Sequence, residues 1–120
     1  GLRLLAVEHS ASACQDFAFN LESFENVDLY QASVEHALGR LDAQADVVIV
    51  DPPRAGLGRE VIEALLLHAP PRLVYVSCDP STLARDGKQL SASGYHLETV
   101  TPIDLFPQTF HIETVSLWTR

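Results

Sequence analysis

Asp46-Val47-Val48-Ile49-Val50-Asp51-Pro52-Pro53 is the stretch that decides the fold class. The run from Val47 to Val50 is apolar without alternation and β-branched throughout. That pattern suits a parallel strand buried on both faces. Asp51 ends the run, and the two prolines behind it remove two backbone donors and fix φ, so the strand stops in a stiff turn. Outward from this point, short β runs alternate with helical patterns in both directions. Downstream, a helix is predicted over residues 58–68, stopped by Pro70-Pro71, and a second buried strand over 73–76. Residues 79–90 read as a turn and a helix with Pro80 near its start, closed by Gly94. Upstream, a strand over 4–7 ends in Glu8, and Ser10 is placed to cap a helix over 11–23. A strand over 27–30 follows, and Ser33 caps a short helix over 34–41. The last two predicted strands, 95–103 and 114–119, have only a loop between them and are expected to pair antiparallel.

Strand–helix alternation with buried strands gives an α/β fold with a mostly parallel sheet and a C-terminal antiparallel strand. The chain has 120 residues and a 47% apolar fraction, enough for one packed domain and too much for a disordered chain. No apolar run approaches the roughly 20 residues that span a bilayer, and no signal-peptide pattern opens the chain, so a cytoplasmic location and no membrane partner are expected. The formal net charge of −8 argues against this segment being the main nucleic-acid anchor. With two cysteines, Cys14 and Cys78, a disulfide framework is not expected, and no metal site is either. Cys14 falls at an apolar helical position and reads as a small core residue.

The chemistry concentrates at strand ends. In an open α/β sheet, ligands sit beyond the carboxyl ends of the strands. Glu8, Ser33, Asp51 and Cys78 all fall at or just past the end of an apolar run, which predicts one rim of one crevice. A carboxylate at Glu8 can accept from both hydroxyls of a ribose; the plainer alternative is a solvated loop acid. Asp51, held by its stiff turn, suits a planar base edge; the alternative is an acidic helix-entry turn. Cys78 leaves a core strand for the turn Ser77-Cys78-Asp79-Pro80, where the positive end of the following helix favours thiolate. A lone structural cysteine is the other reading. The loop Phe106-Pro107-Gln108-Thr109-Phe110-His111-Ile112-Glu113 mixes apolar residues with two titratable ones. A carboxylate held among apolar groups can serve as a base near neutral pH, which favours Glu113 over His111; an ordinary strand-entry glutamate is the alternative.

Three segments, in order and spacing, resemble the RNA 5-methyluridine methyltransferases that act on tRNA or ribosomal RNA. They are Asp51-Pro52-Pro53-Arg54-Ala55-Gly56-Leu57, then Tyr75-Val76-Ser77-Cys78-Asp79-Pro80-Ser81-Thr82-Leu83-Ala84-Arg85-Asp86, then Asp104-Leu105-Phe106-Pro107-Gln108-Thr109 through Glu113. The resemblance covers essentially the whole chain. It implies a Rossmann-like fold dependent on S-adenosylmethionine, acting on an rRNA or tRNA uridine. It also implies that Cys78 attacks C6 of the uracil and that Glu113 removes the C5 proton. Glu8 matches the acid that holds the cofactor ribose, Ser33 a polar residue near the adenine, and Asp51 a residue between cofactor and base. Arg54 is expected beside Asp51 on the substrate side. Reaching C6 requires a base out of its stack. Asp79 stands where the family carries Asn, and Gln108 where His is common. The Gly-rich cofactor turn of such folds belongs one strand–helix unit before the first strand here, so the chain reads as the C-terminal part of a catalytic domain.

Rival readings are another methyltransferase of this architecture, or an inactive domain kept for RNA or protein binding. Adenine-N6 enzymes follow Asp-Pro-Pro with an aromatic residue, and Arg54 stands there instead. RNA cytosine-5 enzymes carry a Cys in the turn after the central strand, which this turn lacks.

Overall fold

The computed structural model describes all 120 residues as two compact units, residues 1–42 and 43–120. In the first unit, β1 (Leu4–Glu8) and β2 (Val27–Gln31) pair in parallel, with Glu8 opposite Gln31 at the carboxyl edge. Helix α1 (Ala11–Leu21) connects them, and the Ser10 hydroxyl caps it by accepting from the Ala13 N–H at 3.4 Å. Cys14 is buried, as a core residue should be. After β2, the Ser33 hydroxyl accepts from the His36 N–H at 3.3 Å and starts α2 (Val34–Leu38). This helix ends one turn earlier than its sequence pattern suggests, at Gly39.

The second unit holds a four-stranded sheet in the order β3 (Val48–Val50), β4 (Arg72–Ser77), β6 (Glu113–Thr119), β5 (His96–Ile103). β3 and β4 are parallel, and β6 runs antiparallel between β4 and β5. Pro102 lies in β5, an edge strand, where a missing N–H is tolerated. Helices α3 (Gly58–His68) and α4 (Pro80–Ala92) follow β3 and β4. The expected antiparallel pairing of the last two strands is thus observed.

One expectation fails. β3 is not buried on both faces: it is three residues long, pairs only with β4, and leaves Ile49 68% exposed. Asp46 and Val47 remain outside the ladder. The apolar run is real, but while Val48 and Val50 pack against the core, Ile49 points to the other face, over which nothing in this unit packs.

The core forms where alternate residues of β4 and β6 meet α4. Register pairs Leu73 with Trp118, Tyr75 with Ser116 and Ser77 with Thr114, and all six are buried. Trp118 Nε1–H donates to the Ser116 hydroxyl at 2.9 Å, which donates to the Tyr75 carbonyl at 3.2 Å. The polar atoms of this face are therefore mostly paired rather than desolvated alone. From α4 the buried positions are Leu83, Asp86, Gly87 and Leu90, a stripe at helical spacing. Gly87 lies against the indole: a Cβ there would stand 2.7 Å from Trp118 Cη2.

Gly87→Ala therefore tests the packing by its sign. Helix propensity alone would make Ala stabilising by about 1 kcal/mol. Overpacking against Trp118 should reverse this into a loss of about 1–3 kcal/mol. A lowered thermal midpoint that recovers in a Trp118→Phe background is the expected result.

Candidate active site

Parallel pairing puts the carboxyl ends of β3 and β4 on one edge of the second sheet, and Asp51 and Cys78 follow those ends directly. β6 begins at the same edge because it runs the other way. Its register with β4 ends at Ser77 opposite Thr114, so Cys78 follows the last paired residue of β4 and Glu113 precedes its partner on β6. Strand pairing thereby brings residues 35 positions apart in sequence (113 − 78) to one edge of the sheet. Both line a cleft of about 320 Å³ together with Arg54, Phe106 and His111. Asp51 is exposed on the same edge but does not line this cleft.

The turn that carries the thiol is closed on both sides. The buried Ser77 hydroxyl donates to the Asp79 carbonyl at 2.9 Å and accepts from the Asp79 N–H at 3.1 Å. Cys78 lies between them, half-buried. Asp79 then caps α4, its Oδ1 accepting from the Ser81 N–H at 2.9 Å and the Thr82 N–H at 3.1 Å. The hydrogen bond from the Ser81 hydroxyl, then the Thr82 N–H, hold the Asp79 carboxyl below its ordinary value, with the charge of Arg54 adding to them. Asp79 thus performs the capping that Asn would, and Arg54 stands near enough to oppose its negative charge.

On the other wall, Phe106 and His111 meet edge to face at 6.3 Å, and Phe110 lies 4.2 Å from the His111 ring. Phe106 and Phe110 are exposed. Gln108 takes a left-handed φ of 66°, and the Thr109 hydroxyl donates to the Phe106 carbonyl at 2.7 Å, turning the loop back toward β6. Sequence reading singled out Glu113 and Arg54 here but gave Phe106 no role of its own. Its signal was an aromatic residue beside a titratable one, in a loop with no core to fill.

Sequence reading also missed what lies behind the site. Asp86 is fully buried on α4 and accepts from the Tyr75 hydroxyl at 2.7 Å and the Leu57 N–H at 2.9 Å. Arg85 Nε and Nη2 donate to it at 2.9 and 2.8 Å, and Nη2 also reaches the Ala55 carbonyl at 2.6 Å. Burial, then the bond to Asp86, push the Tyr75 phenol well above its usual range and keep it a donor. The missed signal was an acidic residue at the helical spacing of Leu83, Gly87 and Leu90.

In the first unit, Glu8 and Ser33 share the carboxyl edge of their own two-stranded sheet, where Ala32 N–H donates to the Glu8 carbonyl at 3.0 Å. The Glu8 carboxylate accepts from the Ser10 N–H at 2.7 Å, which fixes its direction. Ser33 uses its oxygen to cap α2 and keeps a hydroxyl hydrogen to donate.

The tRNA (uracil-5-)-methyltransferase family model matches residues 4–120. The chain belongs to this family. An uncharacterized RNA methyltransferase of Thermosynechococcus vestitus is 47% identical over 113 residues, covering 92% of this chain and 25% of that protein. One of Thermotoga maritima is 43% identical over 114 residues, covering 93% and 26%. The chain thus spans about a quarter of the length of these curated relatives. The crystal structure of Pyrococcus abyssi tRNA (uracil-54, C5)-methyltransferase with S-adenosyl-L-homocysteine superposes with a TM-score of 0.84 at 32% identity, over 99% of this chain and 29% of that one. A precorrin-6y C5,15-methyltransferase of Geobacter metallireducens, at 20% identity, gives a TM-score of 0.75 and shares the fold, covering 98% of this chain and 68% of that one. The Rossmann-like methyltransferase fold that the resemblance implied is therefore the fold observed. Among its helices, none is long and apolar enough to cross a membrane.

The cap at Asp79 has a pH signature. Its folded-state value lies below 3.8, so its contribution to stability is present above 3.8 and is lost as pH falls through the folded value. Asp79→Ala should unfold at lower urea than the parent near neutral pH, and the gap should close on acidification below that range. A gap independent of pH would mean that the charge on the cap contributes nothing.

Proposed function

We propose that this chain is the C-terminal part of the catalytic domain of an enzyme that methylates C5 of a uridine in RNA. In this reading Cys78 is the nucleophile and Glu113 the base. The observation that carries it is a thiol just past the end of β4 and a carboxylate at the start of β6 lining one cleft together with Arg54.

The thiolate of Cys78 adds to C6 of the uracil, and the electron pair of the C5–C6 bond moves toward C5 and O4. S-adenosylmethionine, when bound, supplies an electrophilic methyl group to C5. Glu113 takes the proton from C5, the C5–C6 double bond re-forms, and the bond from Cys78 to C6 breaks, returning the thiolate. Arg54, a permanent positive charge in the cleft, is placed to stabilise the developing enolate oxygen. Phe106 and His111 present ring faces and edges suited to a base that has left its stack.

For the cofactor, the donor chemistry fits. Glu8, with its carboxylate oriented by Ser10, suits a pair of ribose hydroxyls, and Ser33 suits an adenine edge. Asp51 is assigned to the boundary between cofactor and base, with Arg54 on the substrate side. The RNA is an rRNA or tRNA. With a net charge of −8 here, most phosphate contacts are assigned to surfaces outside this chain.

RNA containing 5-fluorouracil tests the reading in the full-length protein. Fluorine at C5 cannot leave as the proton does, so a covalent protein–RNA band should persist on a denaturing gel. Cys78→Ala should form none. With ordinary RNA, Glu113→Gln should stall as a methylated adduct, since an amide is no base, and turnover should drop by about 10²–10⁴-fold. Normal turnover by Glu113→Gln, or trapping by His111→Ala instead, would give the base role to another residue.

A further inference from the structure

We infer that Asp86 is a positioning residue for Arg54: its buried carboxylate sets where the guanidinium stands beside Cys78, and so governs how fast the thiol adds to its base. The inference rests on the functional reading above and assigns a role to a residue that touches none of the reacting atoms.

Arg54 rides on a tight turn. The Gly56 N–H donates to the Pro53 carbonyl at 2.8 Å, leaving Arg54 and Ala55 at the tip. The entry to this turn is fixed by the φ of Pro52 and Pro53. Its exit is fixed by α4, where Asp86 accepts from the Leu57 N–H and Arg85 donates to the Ala55 carbonyl. Gly56 between them has a φ of 81°, and a Cβ there would stand 2.5 Å from Asp86 Oδ2 and 2.6 Å from Arg85 Nη2. The turn is pressed onto the carboxylate with no room for a side chain.

Asp86 also reaches the strand that carries the nucleophile. Tyr75, which donates to it, precedes Cys78 by three residues on β4, and the N-terminus of α4 is the turn around Cys78 itself. One carboxylate therefore fixes the Arg54 turn to both elements that hold the thiol. All its neighbours are donors: a phenol, an amide and two guanidinium N–H groups. An Asn side chain would set an NH₂ against one of them, so Asp86→Asn keeps the volume while loosening the turn.

The test is a double-mutant cycle in the full-length protein, read as the rate of covalent adduct formation with 5-fluorouracil RNA. Asp86→Asn should slow this rate about 10–100-fold, the usual cost of a misplacement near 1 Å. Arg54→Ala should also slow it. In the Arg54→Ala background, Asp86→Asn should cost no more than about threefold further, because the group it positions is gone. Tyr75→Phe removes one bond to Asp86 and leaves the other donors, so it should show a smaller slowing with the same loss of effect when Arg54 is absent. This second cycle reads the coupling even where Asp86→Asn does not fold. Multiplying effects in the cycle, or an unchanged rate in Asp86→Asn, overturn the inference while the functional reading stands. No adduct with the unaltered protein overturns the reading and the inference with it.

Discussion

The second unit is organised around one buried carboxylate. Removing Asp86 from water is costly unless every oxygen lone pair finds a donor, and the donors come from β4, from α4 and from the segment that follows β3. A hydrophobic side chain of similar size would pack on α4 equally well but would leave the Tyr75 hydroxyl and the Leu57 N–H unpartnered. Breaking such a pair from one side typically costs about 3–5 kcal/mol, whereas a dry replacement of the whole cluster can be neutral. Stability alone does not call for an acid at this position. An acid does fix one arrangement of three elements, where an oily contact would accept several.

Much of the architecture was legible because it follows from period and punctuation. Ser10 and Ser33 cap where the sequence places them, Pro80 opens α4, and Gly94 takes the left-handed φ of 94° that closes it. The thiol turn was legible too, because a cysteine between a β run and a proline-led helix has few other places to go. Two things were not. The exposure of Ile49 depends on what packs over its face of the sheet, and an apolar run does not record that. Asp86 sits in a segment quoted for its resemblance, but its burial follows from long-range partners 11 and 29 residues away. Local pattern reading has no access to those partners and treats a charged residue in a helix as a solvated one.

The acidic balance and the site chemistry fit together once the cleft is described by its own charges. A net charge of −8 repels phosphate at long range. Within the cleft, however, Arg54 lies beside the thiol, and the carboxylate of Asp79 is turned to the helix N-terminus and held there by N–H donors. Arg54 thus offsets within the cleft a negative balance that there includes Glu113. A polyanion is therefore disfavoured by the chain as a whole, while a single group entering the cleft meets the Arg54 charge.

The insertion of β6 between β4 and β5 has a consequence in time. The β4–β6 ladder closes a loop of about 40 residues, a contact formed late because chain entropy opposes it. On a ribosome, β4 and the cysteine turn emerge well before β6 does. Until β6 has been made and has slotted into its gap, the nascent chain carries the Cys78 thiol without the Glu113 carboxylate that shares its cleft. The two side chains therefore come to line one cleft only with the docking of a single strand.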